Sequence, residues 1–192
     1  MTLLSLIRSR LGPDIIEQLA RRIHADPGAT SNAVDAAAPL LLSAIAGHVA
    51  EAGGAQALHA TLKAHHDGSL LDNLPLHLAY GETNDGDAII GHVLGPRAAA
   101  FESGIGRATG LDADQVRRLL ALLAPVVMAA IAAMQREREL DPAGLAALMT
   151  QERSTLETAA PGVLHALGGM LAQDTERSEA GGILGSVFEE RP

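Results

Sequence analysis

Apolar positions recur at helical spacing along almost the whole chain. Leu3, Leu4 and Ile7 share one face of a short first helix, which Gly12-Pro13 should end. Ile15, Ile16, Leu19, Ala20 and Ile23 follow on one face, with Glu17, Gln18, Arg21 and Arg22 opposite. Asp26-Pro27 reads as a helix start: a carboxylate that can cap free amides, then a proline where a missing N–H costs nothing. The apolar stretch beyond it runs to about Ala50 and stops before Gly53-Gly54, and a shorter helix spans Ala55 to about Lys63.

His65 to Gly86 is the least regular region, with turn signals at Asp67-Gly68, Asp72-Asn73, Pro75 and Asn84-Asp85-Gly86. Asp87 is then expected to cap a short helix carrying Ile89, Ile90, Val93 and Leu94, ended by Gly95-Pro96. Arg97–Thr109 is a helix rich in small residues, with Gly110 as its C-cap candidate. Val116–Gln135 is a second long apolar helix, followed by the charged run Arg136–Glu139. Asp141-Pro142 repeats the cap-then-proline device before Leu145, Leu148 and Met149. After a break near Pro161-Gly162, Val163, Leu164, Leu167 and Leu171 resume the helical period.

One phrase occurs in both halves. Ala38-Pro39 followed by Ala44-Ile45-Ala46 recurs as Ala124-Pro125 followed by Ala130-Ile131-Ala132, and Asp26 aligns with Asp112 at the same offset. Proline inside a helix costs roughly 3 kcal/mol, so its presence at matching places points to duplication rather than shared composition. Ile89-Ile90-Gly91-His92-Val93-Leu94 also resembles Ile183-Leu184-Gly185-Ser186-Val187-Phe188. The expected fold is all-α: a single domain over residues 1–192, a multihelical bundle of two pseudo-repeats at about 14–95 and 97–188. Its two central, proline-containing helices, around Ala33–Ala50 and Leu119–Met134, are apolar on nearly every side and should be buried, Ile45 and Ile131 included.

The repeated Ala-Pro helix and the segment Gly86-Asp87-Ala88-Ile89-Ile90-Gly91-His92-Val93-Leu94-Gly95 resemble the YidB-like bacterial proteins, domain of unknown function 937. The resemblance covers about residues 14 to 188. It implies a multihelical fold with two buried central helices and brings no catalytic residues. The tail copy departs from the pattern, with Glu179-Ala180-Gly181-Gly182 where the first copy has a Gly-Asp turn.

Composition narrows the function classes. Apolar residues are 47% of the chain, with two Phe, one Tyr and no Trp, a composition suited to close helix packing. A net charge of −9, with Lys63 the sole lysine, argues against a nucleic-acid surface. The absence of cysteine excludes disulfides and thiolate chemistry. The N-terminus lacks a secretory pattern, and Leu119–Met134 is shorter than the ~20 residues of a membrane span.

Candidate chemistry is sparse. Pro39 and Pro125 leave the carbonyls of Asp35 and Ala121 without their helical donors, which most simply bends a core helix. His59, His65 and His66 lie close in sequence beside Asp67, and His59 and His66 would share a face of a continuous helix. Imidazole and carboxylate suit zinc or nickel, yet no familiar ligand spacing is present. His92 reads as a packing residue. Gly104-Ile105-Gly106-Arg107-Ala108-Thr109-Gly110 is no dinucleotide loop, since Thr109 stands where glycine is needed. Ala100, Gly104 and Ala108 instead form a stripe for helix contact. The acidic turns do not fit a calcium loop, and no serine sits in a nucleophile elbow. No catalytic, cofactor or metal residue is therefore nominated, and no cofactor is expected. The leading expectation is a non-enzymatic interaction or scaffold module of the bacterial cytoplasm, with a protein partner and homo-oligomerisation open to it. The alternatives are a histidine-dependent metal-binding protein using His59, His65 and His66, and a membrane-associating helical protein.

Overall fold

A computed structural model describes residues 2–65 and 68–159. Those residues form nine α-helices and no strand: α1 (Leu3–Arg10), α2 (Pro13–Ile23), α3 (Pro27–Ala50), α4 (Gly54–His65), α5 (Leu74–Tyr80), α6 (Asn84–Val93), α7 (Ala98–Thr109), α8 (Ala113–Glu137) and α9 (Pro142–Ala159). Single 3-10 turns at Ser69–Leu71 and Gly95–Arg97 join α4 to α5 and α6 to α7. The fold is an all-α multihelical bundle, as the periodicity predicts.

α8 is the hub. It touches α1, α2, α3, α4, α6 and α7, and every residue from Leu119 to Ala132 is buried. Ile131 is fully buried and Ile45 is 3% exposed. α9 lies along α3, whose other neighbours include α2, α7 and α4. By length and composition, α3 and α8 could each cross a membrane, with mean hydropathies of 1.5 and 1.9 over their most apolar windows. In the folded chain, 61% of that window in α3 and 83% in α8 are buried inside the protein.

The helix starts follow the expected chemistry. Asp26 accepts a hydrogen bond from the Ala29 amide at 2.9 Å, with Pro27 at the first helical position. Asp112 forms a reciprocal capping box with Gln115, whose side-chain amide also donates to the His24 carbonyl at 2.8 Å. Asp141 accepts from the Gly144 amide at 2.7 Å. The same local order occurs twice: a left-handed residue (His24 at φ 58°, Gly110 at φ 79°), an aspartate cap, then a helix that continues through proline.

Three sequence expectations need correction. α6 starts at Asn84 with Thr83 as its N-cap, so Asp87 lies inside the first turn and caps nothing. The region between His65 and Gly86 holds a helix, α5, which Pro75 helps to begin and which buries Leu74 and Leu78. α8 takes up part of the charged run and ends only at Glu137. The break at Pro161-Gly162 and the tail copy Ile183–Phe188 lie outside the described residues.

α1 docks through a buried acid. Glu152 of α9, 4% exposed, accepts a hydrogen bond from the Leu3 amide at 2.9 Å, placing negative charge at the α1 N-terminus.

Candidate functional site

Two places gather polar groups against the central helices. The first is the proline of α8. Pro125 has no N–H to give the Ala121 carbonyl. Gly86 of α6 lies directly on that carbonyl, and a Cβ at position 86 would overlap the Ala121 oxygen and carbon. A glycine inside a helix costs about 1 kcal/mol relative to alanine. Here it lets two backbones touch. His77 of α5 reaches the next carbonyl along. Its Nε2 is buried and closes no hydrogen bond of good geometry, although the Leu122 carbonyl acts on the ring. Burial pushes the His77 pKa down, opposed by the Leu122 carbonyl and by the charge of Asp85. The glycine of the Gly86–Gly95 segment is thus explained by packing.

The second place is the corner where α3 turns into α4, beside the end of α6. His48 and His92 stack there, with ring centroids 5.6 Å apart and planes inclined at 22°. His48 Nε2 lies 2.9 Å from the Val93 carbonyl, which can only accept, so this nitrogen carries the proton. The other ring nitrogen, Nδ1, stands 3.8 Å from the Glu51 carboxylate. Beneath the pair is a recess of about 420 Å³, floored by Ile45, Val49, Val93 and Met128 and rimmed by Glu51 and Thr61 as well as the histidines. An apolar floor with a few convergent polar groups is the common form of a recognition site.

The histidines nominated from the sequence are arranged differently. His59 is half-buried in a separate recess of about 570 Å³, among Lys63, Gln135, Arg136, Glu139 and Asp141. His65 is exposed at the end of α4, and His66 and Asp67 lie outside the described residues. Among the described residues, no group of three or more histidine or acidic side chains is arranged to hold a metal. The larger recess sets Lys63, Arg136, Glu139 and Asp141 around Leu62, Ala132 and Leu140, whereas, among the described residues, Glu51 is the one charged side chain lining the smaller, which is therefore the better receptacle for an apolar group. The stripe on α7 is also only partly engaged: Gly104 is buried, Ala100 half-buried and Ala108 exposed.

A further titratable group lies between α6, α7 and the start of α8. Burial raises the Glu102 pKa, Arg117 opposes this, and the negative charges of Asp114 and Asp87 add to it. Arg117 is itself bonded to Asp114 at 2.8 Å.

Sequence reasoning passed over His48. The signal was present: Gly47-His48-Val49 and Gly91-His92-Val93 are the same tripeptide, and their histidines are the two that stack.

The architecture is that of an all-helical bundle with a buried proline-containing hub and a histidine-rimmed recess at one corner. The chain belongs to the family of bacterial proteins of unknown function (DUF937), whose model matches residues 5–134. That span begins before α2 and stops near the end of α8, a narrower reach than the sequence resemblance to residue 188 implied. No curated protein and no solved structure matches the chain.

Proposed function

We propose that this protein is a non-enzymatic interaction module of the bacterial cytoplasm, and that the recess under His48 and His92 receives an apolar side chain of a protein partner. The observation that carries this reading is the pairing of an apolar floor (Ile45, Val49, Met128) with two imidazoles at the rim. Its volume, about 420 Å³, falls within the range of small-molecule and side-chain pockets. Location in the cytoplasm is part of the same reading. Its support is that α3 and α8 spend most of their apolar surface inside the protein.

The test uses small stand-ins for side chains. Protein labelled at the methionine methyls and histidine rings is titrated with indole, p-cresol and isoamyl alcohol, mimicking Trp, Tyr and Leu. Saturable shifts at Met128, His48 and His92 are expected with at least one probe. Thr61 is exposed on the rim, so Thr61→Trp should fill the recess without disturbing the core and should abolish those shifts. Shifts that rise linearly without saturating, or that survive Thr61→Trp, would overturn the reading.

A further inference from the structure

The helix that carries His77 toward α8 is a very small unit. α5 is seven residues long and contributes two fully buried apolar side chains, Leu74 at 2% and Leu78 at 0% exposure. On its outer side, Leu76 and Tyr80 are 62% and 78% exposed, so these two side chains gain little from burial. Polar contacts hold its ends: Gln18 of α2 donates to the Pro75 carbonyl at 2.6 Å, and Arg22 of α2 donates to the Gly81 carbonyl at 2.9 Å. Between these ends, the inward polar contact is His77 against the Leu122 carbonyl.

We propose that His77 is a proton-operated clasp, and that its protonation in mildly acidic solution releases α5 and the first turn of α6 from α8 while the rest of the bundle stays folded. Nε2 is enclosed and has no well-formed partner, so a charged ring there loses hydration and regains only a poorly aligned carbonyl. Once α5 swings away, the ring is solvated and the charge costs nothing.

The neighbouring charges do not cancel this. Asp85 on α6 is the acidic group that acts on the ring, and it favours the charged form. On α2, Arg22 is engaged by the Gly81 carbonyl, while Arg21 and Glu17 face each other at 3.5 Å. The turn Ser69–Leu71 carries no charge, and Asp72 after it lies 3.8 Å from Arg10. On α8, the group that acts on the ring is the Leu122 carbonyl. Burial outweighs Asp85 and the carbonyl, so the folded ring takes up a proton less readily than a free imidazole, whose pKa is about 6.5.

The sign follows by linkage. A histidine whose pKa is lowered by folding contributes its full stabilisation above the unfolded value, and loses it as pH falls below 6.5 toward the folded value. Because α5 buries so little, this loss appears as local opening before global unfolding.

Hydrogen exchange of the whole chain between pH 7.5 and 5.0, corrected for intrinsic rates, tests the proposal. Amides of Leu78 to Tyr80 should lose protection as pH falls. The loss should be about tenfold for each pH unit over which the released ring is charged and the docked ring neutral. Amides of α8 from Val127 to Ile131 should keep theirs. In His77→Gln the α5 amides should show no such dependence, because glutamine keeps a polar group and does not titrate. A ring-proton titration of wild-type His77 serves if that variant does not fold, with a midpoint below 6.5 expected. Protection in α5 that is independent of pH, an equal pH-dependent loss in α8, persistence of the dependence in His77→Gln, or a midpoint above 6.5 would each overturn the clasp.

Discussion

α3 and α8 share a cap, a proline and a nearly identical apolar phrase, yet the bundle treats them differently. α8 is enclosed on every side through its middle, whereas α3 leaves Asn32 and Asp35 exposed and Ala36, Ser43, Ala44 and Gly47 half-buried. The difference is clearest at the two carbonyls that the prolines set free. In α8 that carbonyl belongs to buried Ala121 and is covered by Gly86. In α3 it belongs to Asp35, an exposed residue 3.1 Å from Arg8. A proline in an apolar helix therefore frees a carbonyl in both places, and in α8 that carbonyl is where α6 docks.

The most damaging way to probe this contrast is to put a charge in each helix. Ile131→Asp places an unpaired carboxylate at a fully buried position, a cost of several kcal/mol that should abolish folding. Ala36→Asp, half-buried on α3, should stay folded and lose no more than about 1 kcal/mol. Far-ultraviolet circular dichroism and urea unfolding read both. A soluble Ile131→Asp protein with unchanged melting temperature would remove α8 from the centre of the fold.

Gly86→Ala comes next. The added methyl has nowhere to go but into the Ala121 backbone, so α6 must lift, at about 2–3 kcal/mol even after the gain in helix propensity. The contact also couples two residues distant in sequence. In a double-mutant cycle, Gly86→Ala and Pro125→Ala should depart from additivity by more than about 0.5 kcal/mol, because each alters the same carbonyl. The parallel cycle of Gly86→Ala with Pro39→Ala should be additive. Equal coupling in the two cycles would mean that the carbonyl is not what joins α6 to α8.

What the sequence made legible tracks how local each cause is. Caps and stops at Asp26, Asp112, Asp141 and Gly110 are decided within a few residues, and the structure has them. Burial of Ile45 and Ile131 could be read because a helix apolar on all sides must be surrounded. α5 was missed because turn letters crowd its two core leucines, Asp72-Asn73 before it, Pro75 within it and Gly81 after it, and packing against α2 makes it a helix. Thr83 displaced Asp87 as the cap of α6 because Gly86 must be helical to lie flat on Ala121. The stacked histidines come from helices far apart in the chain, so no spacing rule would join them. The repeated Gly-His-Val was the single trace.

The two aspartate caps give a smaller contrast. Asp112→Ala removes the acceptor of the Gln115 amide, a bond of 2.8 Å, and loosens Gln115, whose side chain still accepts from the residue-112 amide and also ties α8 to the His24 carbonyl, so about 1–2 kcal/mol should be lost. Asp26→Ala removes one bond, to Ala29, and should cost about 1 kcal/mol or less. Chemical denaturation with a constant m-value checks the order. A larger loss at Asp26 would place the more demanding helix start at α3.

The smallest effect belongs to Asp35, the position in α3 that matches Ala121 in α8. Its carboxylate and the Arg8 guanidinium are 3.1 Å apart, but both side chains are 56% exposed, and water and salt screen such a pair. Asp35→Ala should change stability by no more than about 0.5 kcal/mol, and the change should shrink further in 1 M salt. The exchange in the opposite direction is not symmetric: Ala121→Asp would need to place a carboxylate beneath α6, where the backbone of Gly86 already fills the space. Guanidinium chloride would mask the effect by screening the pair, so urea titrations at low and high salt are the measurement. A loss above about 1 kcal/mol for Asp35→Ala would show that α1 is docked on this turn of α3 through the Asp35 carboxylate, as α6 is docked on α8, and the contrast between the two helices would fail.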